Sequence, residues 1–428
     1  MITKIPYDRG YLLCTTGDDE QVSVLSSALH SMRSEGSEEE IVRAALDAPI
    51  GAPRLEDWVK GKRSVLIITS DHTRPVPSKI TMPQILARLR KGNPALEVKI
   101  LIATGVHRET TEKELRGKFG DALFEAERDR IFIHRAFEDQ MLYLGKLPSG
   151  CELSVNALVS TVDAVIAEGF IEPHFFAGYS GGRKSVLPGI ASASSVLQNH
   201  CAKLIGDPHS RAGVLQGNPL HQDMLAAARL CKLEYIVNVV IDGDKKIVHC
   251  FAGDTEAAHE AGCEFVGRFC CVRPAFADIV LTSNGGYPLD QNVYQSIKSM
   301  TAAEATVNEG GVIICVSRCG DGSGGEELYR WFSEHKNAAE VAEIIRTTEP
   351  KDTVGDQWMA QILARIMLRA RVIMVTDSSA RAIVEGMKML WCPTIDDALK
   401  EAKKLKPDYG GITIIPDGIS VIVTDEKK

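Results

Sequence analysis

The chain has 428 residues, enough for two domains of ordinary size, each with a core of its own. Its 44% hydrophobic and 25% charged residues suit a globular protein and exclude a disordered or fibrous one. A net charge of −8 gives no basic face for nucleic acid, so an anionic ligand has to be met by local positive charge.

Eleven cysteines, an odd number without a CxxC pair, argue against a disulfide scaffold and against a cysteine zinc site. They predict reduced thiols in a cytoplasm-like compartment. No signal-peptide architecture opens the sequence, and no apolar run approaches membrane-spanning length. The expectation is a cytoplasmic protein with no membrane and no nucleic-acid partner.

Taken in order, the first sixty residues predict a short strand in GYLLCTT and an acidic-started helix in SEEEIVRAALDAP. An α/β pattern then begins. SVLIITS (64–70) is a short apolar run of the kind expected of a buried parallel strand. It ends in DHTRPVPSK, where prolines make a rigid exit and Ser78 can begin the next helix. EVKILIATG (97–105) is the second strand, and a capping box of Thr111 and Glu114 starts the following helix, leaving His107 in the loop between them. IFIHRAF (131–137) and TVDAVIAEGF (161–170) are the next two strands.

The last of these runs into EPHFFAGYSGGRKSVLPGI. That stretch presents His174, a turn of Ser180, Gly181 and Gly182, and the pair Arg183 and Lys184, with His200 following. Glycines without a Cβ let backbone N–H groups close around an anion. A lysine just beyond can neutralise a phosphate or act as a nucleophile. A phosphate loop beside two unrelated histidines is the plain alternative, although the spacing is not that of a Walker loop.

YIVNVVIDGDKKIVHCF (235–251) predicts a β-hairpin, followed by a helix. A second α/β unit then starts afresh, with strands in ADIVLTSNGG (277–286), GGVIICVSRCGDGSGG (310–325) and RVIMVTD (371–377). Helices are expected around 291–308, 325–346, 357–369 and 395–405. The architecture predicted is two α/β domains, 1–270 and 271–428, with a cofactor and substrate cleft between them. The tail, 410–428, holds two β-prone runs that can return to the first domain.

Three strand ends carry unusual polar residues: Asp71, Thr73 and Arg74; His107; and His174 onward. Ligands of open α/β sheets sit outside the carboxyl ends of the strands, so these loops can converge. In the second unit Tyr294, Gln295 and Lys298 share one helical face, which suits a carboxylate or, more plainly, a solvated surface. Trp358 alone reads as core. Phe175 and Phe176, beside His174, suit either a substrate pocket or ordinary packing.

Together SDHTRP, ATGVH, EPHFFAGYSGGRKSVLPGI, QNH (198–200), YQSIK and GDQW (355–358) resemble, over essentially the whole length, the nickel-dependent lactate racemases. The resemblance implies a nickel-pincer nucleotide, a pyridinium mononucleotide whose thioamide and thiocarboxylate grip Ni(II), joined covalently to Lys184. It implies His200 as the nickel ligand from the protein and His107 and His174 as the acid–base pair. Asp71, His72, Thr73 and Arg74, with Gly181 and Gly182, are expected against the cofactor. Arg74, Tyr294, Gln295, Lys298 and Trp358 are expected on the substrate side. The implied reaction removes hydride from a 2-hydroxy acid and returns it to either face of the planar keto acid. Implied partners are that small-molecule substrate and the proteins that build the cofactor. The alternatives are a racemase or epimerase of a larger 2-hydroxy acid (malate, an aromatic or a sugar acid), and a non-catalytic nucleotide- or metal-binding relative. An NAD-dependent dehydrogenase lacks the GxGxxG that should follow a strand.

Overall fold

The computed structural model describes residues 1–34 and 36–425, so the last three residues of the tail lie outside the described residues. Two six-stranded sheets organise it. The first has the order 247–254, 233–241, 164–170, 64–70, 97–103, 131–133, parallel except for its first-named edge strand, 247–254. That antiparallel edge is the hairpin expected around Asp242.

Why these runs are uniformly apolar is visible in Ser64–Ser70. Leu66 and Ile68 enter one buried cluster while Val65 and Ile67 enter another, so both faces of the strand are covered. The direction of the connections decides where the site can be. From Ser64–Ser70 the chain moves one way, to Glu97–Ala103 and Ile131–Ile133. It then returns to the other side with Ala164–Phe170. Strands 64–70 and 164–170 are therefore neighbours whose following loops diverge, which is the switch point where α/β sheets open a crevice.

The second sheet is parallel throughout, in the order 390–392, 370–375, 307–316, 277–283, 412–415, 22–24. Its outer strand, Val22–Val24, comes from near the start of the chain, and Ile412–Ile415 from the tail. The second tail run, Ile422–Val423, pairs with Cys271–Val272. One buried cluster extends from Leu66 and Ile68 of the first sheet to Val280 and Ile313 of the second. Helices Val293–Glu304 and Gln357–Arg369 contribute Ile297, Met300, Ile362 and Ile366 to it. Among the described residues no helix is long and apolar enough to cross a membrane.

Some elements differ from the expectation. The strand in IFIHRAF shrinks to Ile131–Ile133. The helix expected over 325–346 is two helices, Glu326–Ser333 and Ala338–Thr347, because the Asn337 side chain caps the second by accepting from the Glu340 amide. Helices Ala193–Asn199 and Pro219–Leu230, capped by Ser192 and Asn218, were not expected. Neither were the strand that completes the first hairpin, Ile2–Tyr7 against Gly10–Thr15, and the hairpin Met141–Lys146 with Glu152–Asn156.

Candidate active site

Three loops of the first sheet and two helices of the second meet at a cavity of about 190 Å³. Asp71, Arg74, His107, His174, Gly181, Lys184 and His200 line it from the first side, and Tyr294, Gln295, Lys298 and Trp358 from the second. The juxtaposition brings together residues spread over almost three hundred positions because the switch point and the two helix N-terminal halves face one another.

The Gly-rich turn is shaped from within by a buried cation. Arg183 is 1% exposed, and its guanidinium donates to the carbonyls of Ala177 (2.8 Å) and Tyr179 (2.9 Å) and to His221 Nδ1 (3.1 Å). Its partners are neutral acceptors, and burial draws its pKa down to about 10. The loop wraps around this side chain, and Gly181 and Gly182 take φ of +77° and +52° to close the turn. The Gly182 amide donates to Asn238 Oδ1 at 2.7 Å, so it is spent inside the protein, while Gly181 lines the cavity. Sequence reasoning missed Asn238, whose Gly182 partner is distant along the chain, and the role of Arg183, which grips backbone carbonyls of its own loop that no side-chain pattern registers.

Lys184 follows at once and reaches into the cavity, with Nζ 3.4 Å from His174 Nε2. Burial, reinforced by the charges of Arg183, Arg74 and Lys298, pushes its ammonium well below the ordinary lysine range, which favours a free amine. His174 is likewise driven far down, first by burial and then by Lys184, Lys298 and Arg74, which favours the neutral ring. It stacks on Phe175 and meets the edge of Phe176.

His107 is less enclosed, with 44% of its side chain exposed, and its Nδ1 lies 2.8 Å from Asp71 Oδ2. Burial would raise the Asp71 pKa, but the hydrogen bond and charge of His107, with Arg74 and Thr73, outweigh it and hold the carboxyl at about 2. Thr73 donates through its amide and hydroxyl to the other oxygen. Arg74 lies over the same loop, its Nη1 3.1 Å from Thr73 Oγ1. His72 turns the other way, toward Thr110 and Glu114, and does not line the cavity.

On the facing helix Lys298 donates to Gln295 Oε1 at 2.5 Å. Burial and Arg74 lower its pKa to about 7, with Glu172 acting in the opposite sense. The Trp358 indole N–H donates to Tyr294 Oη at 3.1 Å, and its ring meets the edge of His200 at 5.1 Å. His200 sits between Trp358 and Phe176, almost fully buried. Its Nδ1 is buried with no close hydrogen-bond partner, and burial and Lys184, weakly opposed by the Val196 carbonyl, lower its pKa to about 3, so a neutral imidazole is held in an apolar frame. A neutral imidazole and a lysine with a depressed ammonium on one cavity fit a metal-bearing group attached at Lys184.

The comparisons agree with one another over most of the chain. The family model described as Lactate racemase N-terminal domain matches residues 7–213, and Lactate racemase C-terminal domain matches 272–423. The chain is 50% identical over 423 residues to a lactate racemase of Thermoanaerobacterium thermosaccharolyticum, covering 99% of each. To a lactate racemase of Lactiplantibacillus plantarum it is 44% identical over 420 residues, covering 98% of this chain and 99% of the other. The structure of the T. thermosaccharolyticum lactate racemase apoprotein superposes with a TM-score of 0.95 at 49% identity, covering 99% of this chain and 100% of that one. A Thermotoga maritima protein, at 20% identity, TM-score 0.67 and coverage of 92% of this chain and 100% of its own, shares the fold. The chain belongs to the lactate racemase family.

Proposed function

We propose that this chain interconverts D- and L-lactate with a nickel-pincer nucleotide held at Lys184 and His200. The observation that carries the reading is the convergence of His107, His174, Lys184, His200 and Lys298 on one cavity, in a chain 50% identical over 423 residues to a lactate racemase. Among the described residues no group of three or more His, Cys, Asp or Glu side chains could hold a metal. A nickel ion at His200 would therefore have its other donors supplied by the bound nucleotide, and soft sulfur with imidazole suits Ni(II). Lys184 would carry the nucleotide through its amine, and Asp71, Arg74 and Gly181 line the same cavity. When bound, the nucleotide supplies the hydride acceptor that a weakly acidic Cα–H requires.

The residues of the chain do the rest. Lys298 and Arg74 anchor the carboxylate with charge-assisted bonds. Gln295 holds the Lys298 ammonium, and Tyr294 is fixed by Trp358. Histidines at both sides handle the hydroxyl proton, since imidazole is the side chain matched to neutral pH. Phe175, Phe176 and Trp358 form an apolar wall that limits water. Proteins that build the nucleotide are the partners this reading requires.

The test is chiral chromatography of cofactor-loaded protein given D-lactate, L-lactate, malate and phenyllactate. Lactate should racemise from either side, and His107→Ala or His174→Ala should abolish steady-state turnover in both directions. Faster turnover of a larger acid would displace lactate as the substrate. Nickel-loaded protein inert toward all of them would make it a non-catalytic relative.

A further inference from the structure

The two cavity histidines are held from behind by opposite kinds of group. Behind His107 stands Asp71 Oδ2, 2.8 Å from Nδ1, on an ionised carboxylate that can only accept. The His107 ring must therefore keep a proton on Nδ1, so that in its neutral form Nε2 is the lone pair. Behind His174 stands the Ala177 amide, whose N–H donates to Nδ1 at 3.2 Å and cannot accept. The neutral His174 ring must carry its proton on Nε2, the nitrogen that faces Lys184.

We propose that Asp71 and the Ala177 amide preset opposite tautomers, making His107 the resting proton acceptor and His174 the resting proton donor of the site. Both act through another residue and are positioning groups. The proposal rests on the racemase reading and adds an asymmetry to it. A substrate hydroxyl on the His107 side meets a base at once. Its proton passes to Nε2, the O–H electron pair stays on oxygen, and the imidazolium formed is balanced by the Asp71 carboxylate until the proton returns. A hydroxyl on the His174 side meets an N–H instead. That ring can take a proton only after it gives up the Ala177 bond and turns over, because a proton on Nδ1 would face the amide hydrogen. The two enantiomers therefore start from unequal positions.

The experiment is a long-range ¹H–¹⁵N spectrum of the apoprotein with ring-labelled histidine, assigned with His107→Gln and His174→Gln. His107 should show a protonated-type Nδ1 and a lone-pair-type Nε2, and His174 the reverse. Asp71→Ala should shift the His107 signals toward a tautomer mixture and leave those of His174 in place. If that variant does not fold, Asp71→Asn, nearly the same shape, should move the His107 signals in the same direction. The same tautomer on both rings, or a His107 pattern unmoved in a folded Asp71 variant, overturns the proposal. In cofactor-loaded protein, rapid quenching should trap keto acid in the first turnover faster from one enantiomer than from the other, and equal rates also overturn it. Failure of the racemase reading is seen separately, as absence of turnover by the unsubstituted protein whatever the spectra give.

Discussion

Lys298, the carboxylate anchor of the proposed reading, shows what burial does to a single ammonium. Its pKa of about 7 means that in the free protein the ammonium disappears as pH rises through neutrality. KM for lactate should therefore climb above about pH 7 with kcat little changed, unless the bound carboxylate restores the proton. Lys298→Gln should raise KM roughly tenfold to a hundredfold at pH 6, the worth of a charged hydrogen bond. Stability moves in the opposite sense. The folded value lies below the ordinary 10.5, so between about 7 and 10.5 the unfolded chain binds more protons and stability rises with pH. Lys298→Met should raise the unfolding temperature of the apoprotein most at pH 6 and progressively less toward pH 10. A stabilisation that grows with pH would refute the sign. His200→Ala tests a different role: nickel should be lost from cofactor-loaded protein while the thermal transition persists, and unchanged nickel in a folded variant would move the ligand elsewhere. Lys184→Ala should bring the intact mass of the active preparation down to that of the bare chain. Lys184 was legible beyond a strand end, whereas Lys298, on a helical face, and His200, at a helix end, were marked by the resemblance. The tautomers of His107 and His174 were not legible, since they are set by Asp71, distant along the chain, and by the backbone amide of Ala177, which carries no side-chain signal.

The loop that carries Lys184 is an element built from exceptions. A Cβ on Gly181 would stand 2.6 Å from Asn238 Oδ1 and 2.8 Å from the Phe170 carbonyl, at a φ of +77°. Gly181→Ala should cost about 1–3 kcal/mol of stability, because the backbone cannot withdraw and Asn238 is already taken by the Gly182 amide. Gly117 is the control. It lies inside helix Glu112–Phe119 with nothing within 4 Å of an added Cβ, so Gly117→Ala should stabilise by up to about 1 kcal/mol. Urea melts of the two variants decide the matter, and equal effects would mean the loop is not under this constraint. The contrast explains what could be read locally. The capping box of Thr111 and Glu114 and the apolar run of Ser64–Ser70 are encoded within a few residues, and both stand where expected. The split of 325–346 at Asn337 and the grip of Arg183 on the turn depend on a cap and on partners that a hydrophobic pattern does not register.

At the scale of the whole molecule the sheets are assembled from distant parts. The tail was legible as two β-prone runs, yet which strands they join is set by pairing across the chain. Ile412–Ile415 is buried along its length and lies between Ala277–Ser283 and Val22–Val24, so it is an inner strand with neighbours on both sides. A chain stopped after Tyr409 would expose the edge of 277–283 and leave 22–24 without a partner. It would also open the core beneath helix Val293–Glu304, which bears Lys298. An exposed inner edge is a template for association, so this truncation should aggregate or lose its cooperative thermal transition. Stopping after Asp425, beyond the last pairing at Ile422–Val423, should leave both solubility and transition unchanged. Sedimentation velocity and calorimetry on the two truncations make the comparison. A chain ending at Tyr409 that stays monodisperse and melts with the full-length protein would show that the second sheet holds without its tail strand, and that the position of Lys298 does not depend on it.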